Sequence, residues 1–199
     1  QQILNKLHAY IRKHVAPTKV EILQEFCKRY YAMVSYEDLA ERSIEDLFGA
    51  MQSHWEFLFQ RAPGVAKVRV FNPDKIQDGW SSTHTVIQLS HDDMPFLVDS
   101  IRLEINRHGF LVHHIVHLGG LRVKRNANHR VNQILPRDKN MPGSLMEAPI
   151  YLEIDRQTDP NVLKALQASL IQVLDDASVA VSDWHIMLEQ LESALVDLE

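Results

Sequence analysis

The stretch HTVIQLSHDDMPFLVDSIRLEINRHGFLVHHIVHL, His84 to Leu118, constrains the fold more than any other, because it spells strand, polar turn, helix, glycine stop and second strand without a break. Thr85, Val86, Ile87 and Leu89 form a β-branched, apolar run. Asp92 and Asp93 follow, where negative charge suits the unpaired N–H groups that open a helix, and Pro95 fits a first turn. Leu97, Ile101 and Ile105 then line one helical face, and Gly109 supplies a left-handed stop. A turn between a strand and a helix N-terminus is a common place for a ligand or a contact, so His91, Asp92, Asp93, Met94, Pro95, Phe96 and Leu97 are the first candidates for function.

The flanking sequence extends this β-α-β half into a whole. Residues 1–61 read as a helical subdomain: Ile3, Leu4, Leu7 and Ile11 make one stripe, Pro17 opens a second helix to about Met33, and Ser35 and Ser43 are N-caps with Asp38 and Asp46 three residues on. Ile44, Leu47, Phe48, Met51, Trp55, Leu58 and Phe59 give a wide apolar helix face that needs a partner. Ala62-Pro63-Gly64 ends the pattern, and Val68 and Val70 alternate with Lys67 and Arg69 in an extra strand near 67–71. Gly119-Gly120 mark a bend before Leu121 to Lys124 continue the strand. Ile150, Leu152 and Ile154 alternate with Tyr151, Glu153 and Asp155 in the next strand; Leu163, Leu166, Leu170, Val173 and Leu174 share a helix face; and Ser178 to Val181 reads as a short last strand. The expected class is α+β, with a βαββαβ, ferredoxin-like antiparallel sheet over 62–182 and two helices on one face. Trp184, Met187, Leu188, Leu191, Leu195 and Leu198 make an amphipathic helix over 183–199, leading into a missing remainder.

Several chemistries can be weighed against this frame. The net charge of −5 and an acidic last quarter, where residues 147–199 carry two basic and eleven acidic side chains, argue against nonspecific nucleic-acid binding. The single cysteine, Cys27, sits in a helical stripe with Val20, Leu23 and Tyr30 and reads as a structural thiol. No run is long and apolar enough to span a bilayer and the start is not a signal peptide, which points to a cytoplasmic protein without membrane partners. The absence of an initiator Met suggests an excised piece of a longer chain. No G-x-G-x-x-G, P-loop, H-E-x-x-H, paired C-x-x-C or G-x-S-x-G word occurs, so no cofactor or metal is expected in this segment and it is expected to be non-catalytic.

Three further groups bear on function. His91, Asp92 and Asp93 are of metal-binding type, but adjacent residues on one turn rarely converge on an ion, so capping or effector binding is favoured. His113 and His117 lie ~13 Å apart along a strand, too far to share a metal, and read instead as residues of an interface opposite a core-facing His114 that shares its face with Val112, Val116 and Leu118. Arg122, Lys124, Arg125, Arg130, Arg137 and Lys139 cluster in a connection of roughly twenty residues with one acid, Asp138. This connection is a solvated flexible hairpin, a docking arm for an acidic surface, or a nucleic-acid arm without the aromatics that RNA stacking needs.

The words HDDMPFLVDS, within Trp80 to His117, and YAMVSYEDLAERSIEDLFGAMQSHWEF upstream resemble the N-terminal region of the large-subunit class of bacterial NAD-specific glutamate dehydrogenases, over roughly residues 20 to 190. The resemblance implies an ACT-like regulatory or assembly module in a cytoplasmic, oligomeric oxidoreductase of amino-acid catabolism. The NAD and glutamate sites would lie downstream, and the partners would be the rest of the polypeptide and sister subunits. As an ACT-like module this segment would carry an amino-acid effector turn of the form Asp-x-Pro-Gly-Leu, matched here by Asp93, Met94, Pro95, Phe96 and Leu97, with Phe96 where ACT modules have Gly. A ring at that point obstructs close backbone approach. The alternative is a free-standing ferredoxin-like binding module for a protein or nucleic-acid partner; a third class is a metal hydrolase built on His91 and Asp92.

Overall fold

The computed structural model describes residues 2–196, with some side chains beyond Trp184 left undescribed. Four helices come first, α1 (Gln2–His14), α2 (Pro17–Tyr30), α3 (Tyr36–Ala40) and α4 (Ile44–Leu58). Ser35 and Ser43 cap α3 and α4 as their spacing predicts, accepting from the N–H groups of Asp38 and Asp46 at 3.1 and 3.0 Å. The remaining elements are β1 (Lys67–Phe71), β2 (Thr85–Asp92), α5 (Leu97–Arg107), β3 (Val112–His117), β4 (Leu121–Arg125), β5 (Val131–Ile134), β6 (Ser144–Ile154) and α6 (Pro160–Val196).

The strands form one antiparallel sheet in the order β1-β2-β6-β4-β5, with β3 also paired to β6. β3 and β4 follow one another along the same long partner, with His117 opposite Ile150 and Leu121 opposite Glu147. The bend expected at Gly119-Gly120 is where four residues of one strand span three of the other. Gly120 has φ +100°, and a Cβ there would lie 2.9 Å from Asp93 Oδ2.

The class is α+β and ACT-like, with α5 and α6 on one face, but its closing strand comes from elsewhere. Ser178–Val181 is not a strand; it lies inside α6, which runs unbroken from Pro160 through the expected domain boundary at 182. No Gly or Pro follows Pro160 anywhere in the chain, so nothing stops the helix. The edge beside β2, where a last strand would pair, is already taken by β1. The strand expected to be an extra therefore completes the sheet. The side chains of Leu188, Leu191, Leu195 and Leu198 lie outside those described.

Two cores sandwich the sheet. Ile87, Leu89, Ile150, Leu152 and Ile154 pack with Leu97, Ile101 and Ile105 of α5 and Leu166, Leu170 and Leu174 of α6. On the other face Val86, Val116, Leu121, Val123 and Tyr151 pack with Leu7, Ile11, Phe26, Cys27, Met51, Trp55 and Leu58 of the first helices. The helical segment 1–61 is thus one layer of the sandwich, and β6 is buried on both sides from Glu147 to Ile154. Burial pushes the Cys27 thiol up to about 12, which suits a structural role.

Candidate functional site

The HDDMPF segment leaves the sheet later than its sequence suggests. β2 continues through Asp92, which pairs with Glu147, and Asp93 N–H still donates to Met146 O at 2.9 Å. α5 begins only at Leu97, so Asp92 and Asp93 are not in its first turn. The residue at the helix entrance is Phe96, with φ +63° and ψ 4°, in the left-handed region. Phe96 adopts this conformation at a steric cost that a glycine would avoid, holding its ring outward and 72% exposed.

Asp92 is committed to structure. Its Oδ1 accepts from Arg61 Nη2 at 2.5 Å and its Oδ2 from Gly64 N–H at 2.8 Å. The same Arg61, itself buried, lies 3.0 Å from Glu147 Oε1, and Arg125 grips Glu147 through Nε and Nη2 at 2.6 and 2.7 Å. Arg125 also donates to the carbonyls of Leu58, Phe59 and His129. Two arginines and two carboxylates therefore tie the end of α4 to β2, β4 and β6. Each buried charge keeps a partner, without which burial would be prohibitive. Asp93 makes no side-chain hydrogen bond among the described residues, and His91 is buried with Nδ1 3.0 Å from Asp92 O.

The basic connection is a hairpin, β4 turning into β5, and its charges do not form one patch. Arg125 is inside; Arg122 is held by Arg137 O, Asn140 and Ser144; Arg130 reaches Gln60; Arg137 and Lys139 face water, and Lys124 is half-buried. On β3 a bulge between Val112 and His114 breaks the expected alternation. Val112 joins Ile115 in the α5–α6 core, whereas Val116 faces the N-terminal helices and His114 lies near Tyr151. His117, paired with Ile150, has its pKa lowered mainly by burial. His113 is exposed, meets Asp155 at 2.7 Å and has the ring of His84 tilted beside it at 4.5 Å.

Sequence reasoning missed a second buried polar cluster. Glu153, read as the outward member of an alternating strand, is buried and held bidentate by Arg42 at 2.7 and 2.7 Å, with Tyr151 OH donating at 2.6 Å. Burial alone raises this carboxyl, but the bonds from Arg42 and Tyr151 outweigh it and bring it to about 2. The signal available was the unpartnered apolar face of α4, which implied that something covers the sheet's second side.

The family described as "Glutamate dehydrogenase, ACT1 domain" matches residues 26–170. NAD-specific glutamate dehydrogenase of Halomonas elongata is 40% identical over 197 residues, covering 99% of this chain and 12% of that protein. NAD-specific glutamate dehydrogenase of Pseudomonas aeruginosa is 33% identical over 183 residues, covering 92% of this chain and 11% of that protein. The chain thus spans about an eighth of the length of the relatives it matches. No helix among the described residues is long and apolar enough to cross a membrane. An antiparallel sheet with α5 and α6 on one face, an Asp-x-Pro-x-Leu turn leading into α5 and identity along nearly the whole chain agree, and the chain belongs to the glutamate dehydrogenase ACT1 domain family.

Proposed function

We propose that this segment is the non-catalytic N-terminal regulatory or assembly region of a cytoplasmic, NAD-dependent glutamate dehydrogenase, whose reaction is glutamate, NAD and water to 2-oxoglutarate, ammonia and NADH. The observation that carries the reading is the near-complete match of this chain to about an eighth of each relative, combined with the commitment of buried Arg61, Glu147 and Glu153 to internal ion pairs. Arg42, Glu153, Arg61, Glu147 and Arg125 join layers of the domain to one another. NAD binds elsewhere in the parent chain. The partners are the remainder of the polypeptide and sister subunits, met at surfaces such as the outward Phe96 turn, where Asp93 is the carboxylate left for an effector or a contact.

Deleting residues 1–199 from the full-length enzyme tests this. The expected result is a change in subunit assembly by mass photometry, or in the response of turnover to amino acids, with NAD reduction retained. Loss of all turnover from a folded, correctly assembled deletion would overturn the reading, as would glutamate-dependent NAD reduction by the 199-residue chain alone.

A further inference from the structure

A pocket of about 430 Å³ opens between α4, β1 and the loop before β2, away from the turn just described. This is the size range of small-molecule sites. Its distinctive member is Arg69. The guanidinium donates through Nε to Gln88 Oε1 at 2.9 Å, and through Nη2 to Gln88 Oε1, Ser53 O and Ser53 Oγ at 2.5, 3.0 and 2.5 Å. The rings of Phe57 and Phe71 lie 4.9 and 4.5 Å away. All these partners are neutral. Arg29, Arg42, Arg61, Arg107 and Arg125 each have a carboxylate within 4.0 Å, whereas Arg69, like Arg122 in the β4–β5 hairpin, has none among the described residues, and its Nη1 makes no hydrogen bond there. A half-buried cation fixed by neutral acceptors, with one nitrogen still free to donate, is built to receive an anion.

The rim carries the opposite charge. Glu56 and Asp78 line the pocket from α4 and from the loop, and both side chains are exposed. Glu56 Oε1 accepts from Gln52, and Asp78 Oδ2 from the N–H of Asp74, which leaves the second oxygen of each without a hydrogen bond among the described residues. Neither carboxylate comes within ion-pair distance of Arg69, but both lie close enough for their charges to favour its cationic form. Trp80 forms an apolar wall, packed so tightly on α4 that a Cβ at Gly49 would lie 2.4 Å from it, and its buried indole N–H has no acceptor among the described residues.

We propose that this pocket binds a small zwitterion, an α-amino acid in its ordinary charge state, with the carboxylate on Arg69 Nη1 and the ammonium between Glu56 and Asp78. The inference stands whether or not the segment regulates an enzyme. Burial, the main influence on Arg69, lowers its pKa, the Asp78 and Glu56 charges offset part of that, and a bound carboxylate offsets more.

The test titrates the common α-amino acids into the 199-residue chain by NMR and calorimetry. At least one should saturate, with Kd on the order of 1 mM or tighter. Its amide, lacking the carboxylate, and its N-acetyl form, lacking the ammonium, should each bind at least about tenfold more weakly. The double variant Glu56→Gln with Asp78→Asn alters only exposed atoms, so it should keep the thermal midpoint and lose at least about tenfold in affinity. Arg69→Met should bind nothing. Failure of every amino acid to saturate, equal binding of the blocked forms, or binding unchanged in the double variant overturns the proposal. Binding abolished by Asp93→Ala and untouched by the double variant would assign the ligand to the turn instead, and would equally overturn it.

Discussion

His54 makes the stability of this domain depend on pH. The imidazole is fully buried, with Nε2 3.1 Å from Leu89 O and Nδ1 3.0 Å from Tyr30 OH. A carbonyl only accepts, so Nε2 carries the proton and neutral Nδ1 accepts from the tyrosine. A second proton would leave two donors facing each other unless Tyr30 turned. Burial, the largest influence, takes the pKa from 6.5 to about 3. Because the folded value lies below the unfolded one, the unfolded chain binds the extra proton first. The associated stability is complete above pH 6.5 and is lost as pH falls toward 3, at about 1.4 kcal/mol per pH unit. Between pH 6.5 and 4.5 the loss is about 2 to 3 kcal/mol. His114 and His117 are shifted in the same direction, so the wild-type slope alone is not diagnostic. His54→Gln keeps a donor for Leu89 O and an acceptor for Tyr30 without the titration. Urea unfolding followed by tryptophan fluorescence at pH 8, 6.5, 5.5 and 4.5 gives both stabilities. The variant should be less stable by about 1 to 3 kcal/mol at pH 8, and the gap should shrink by about 2 to 3 kcal/mol at pH 4.5. A gap that stays constant with pH would refute the assignment of a neutral buried His54.

Three other outcomes are expected from the same assay. Gly49→Ala ordinarily strengthens a helix, yet here the new methyl meets Trp80 at 2.4 Å, so a net loss of about 1 to 3 kcal/mol is expected and a gain would show the packing to be looser. Phe96→Gly should be neutral or stabilising by up to about 1 kcal/mol and Phe96→Val destabilising by at least about 1, the reverse order arguing against a left-handed residue at the entrance to α5. Glu153→Gln leaves Arg42 without its charge partner and should cost about 3 kcal/mol at pH 7, the lower end for a buried pair because Arg42 keeps some contact with water. Glu153 is held below its unfolded value, so its contribution is present above pH 4.5 and lost as pH falls toward 2; a variant whose loss persisted in that acid range would contradict this.

Periodicity revealed the elements with long, clean patterns: the capped helices at Ser35 and Ser43, the alternating strands β1 and β6, and the Leu163-Leu166-Leu170-Leu174 face. It failed where a tertiary neighbour decides. Ser178–Val181 contains two valines and has strand propensity, but no breaker separates it from the helix before it, and β1 holds the edge it would need. Asp92 reads as a helix opener until Glu147 extends the ladder past it and Arg61 captures its carboxylate. The turn's residues were visible; the partners of Asp92 come from positions 28, 31 and 55 residues away and leave no local trace. Arg69 read only as the polar half of an alternating strand, and its lack of a carboxylate is a property of the assembled pocket.

Because β1 closes the sheet from the N-terminal side, α6 never has to turn back. It runs as a rod of 37 residues, about 55 Å at 1.5 Å per residue, anchored by Leu166, Leu170 and Leu174 near its start. Some 22 residues, roughly 33 Å, extend past Leu174. Such a rod is a lever with its fulcrum on the sheet. A tilt of about ten degrees at the anchored end, within what packed helices can slide, displaces the far end by about 6 Å. Repacking too small to alter the sheet would thus arrive at the end of the helix as a movement larger than an atom.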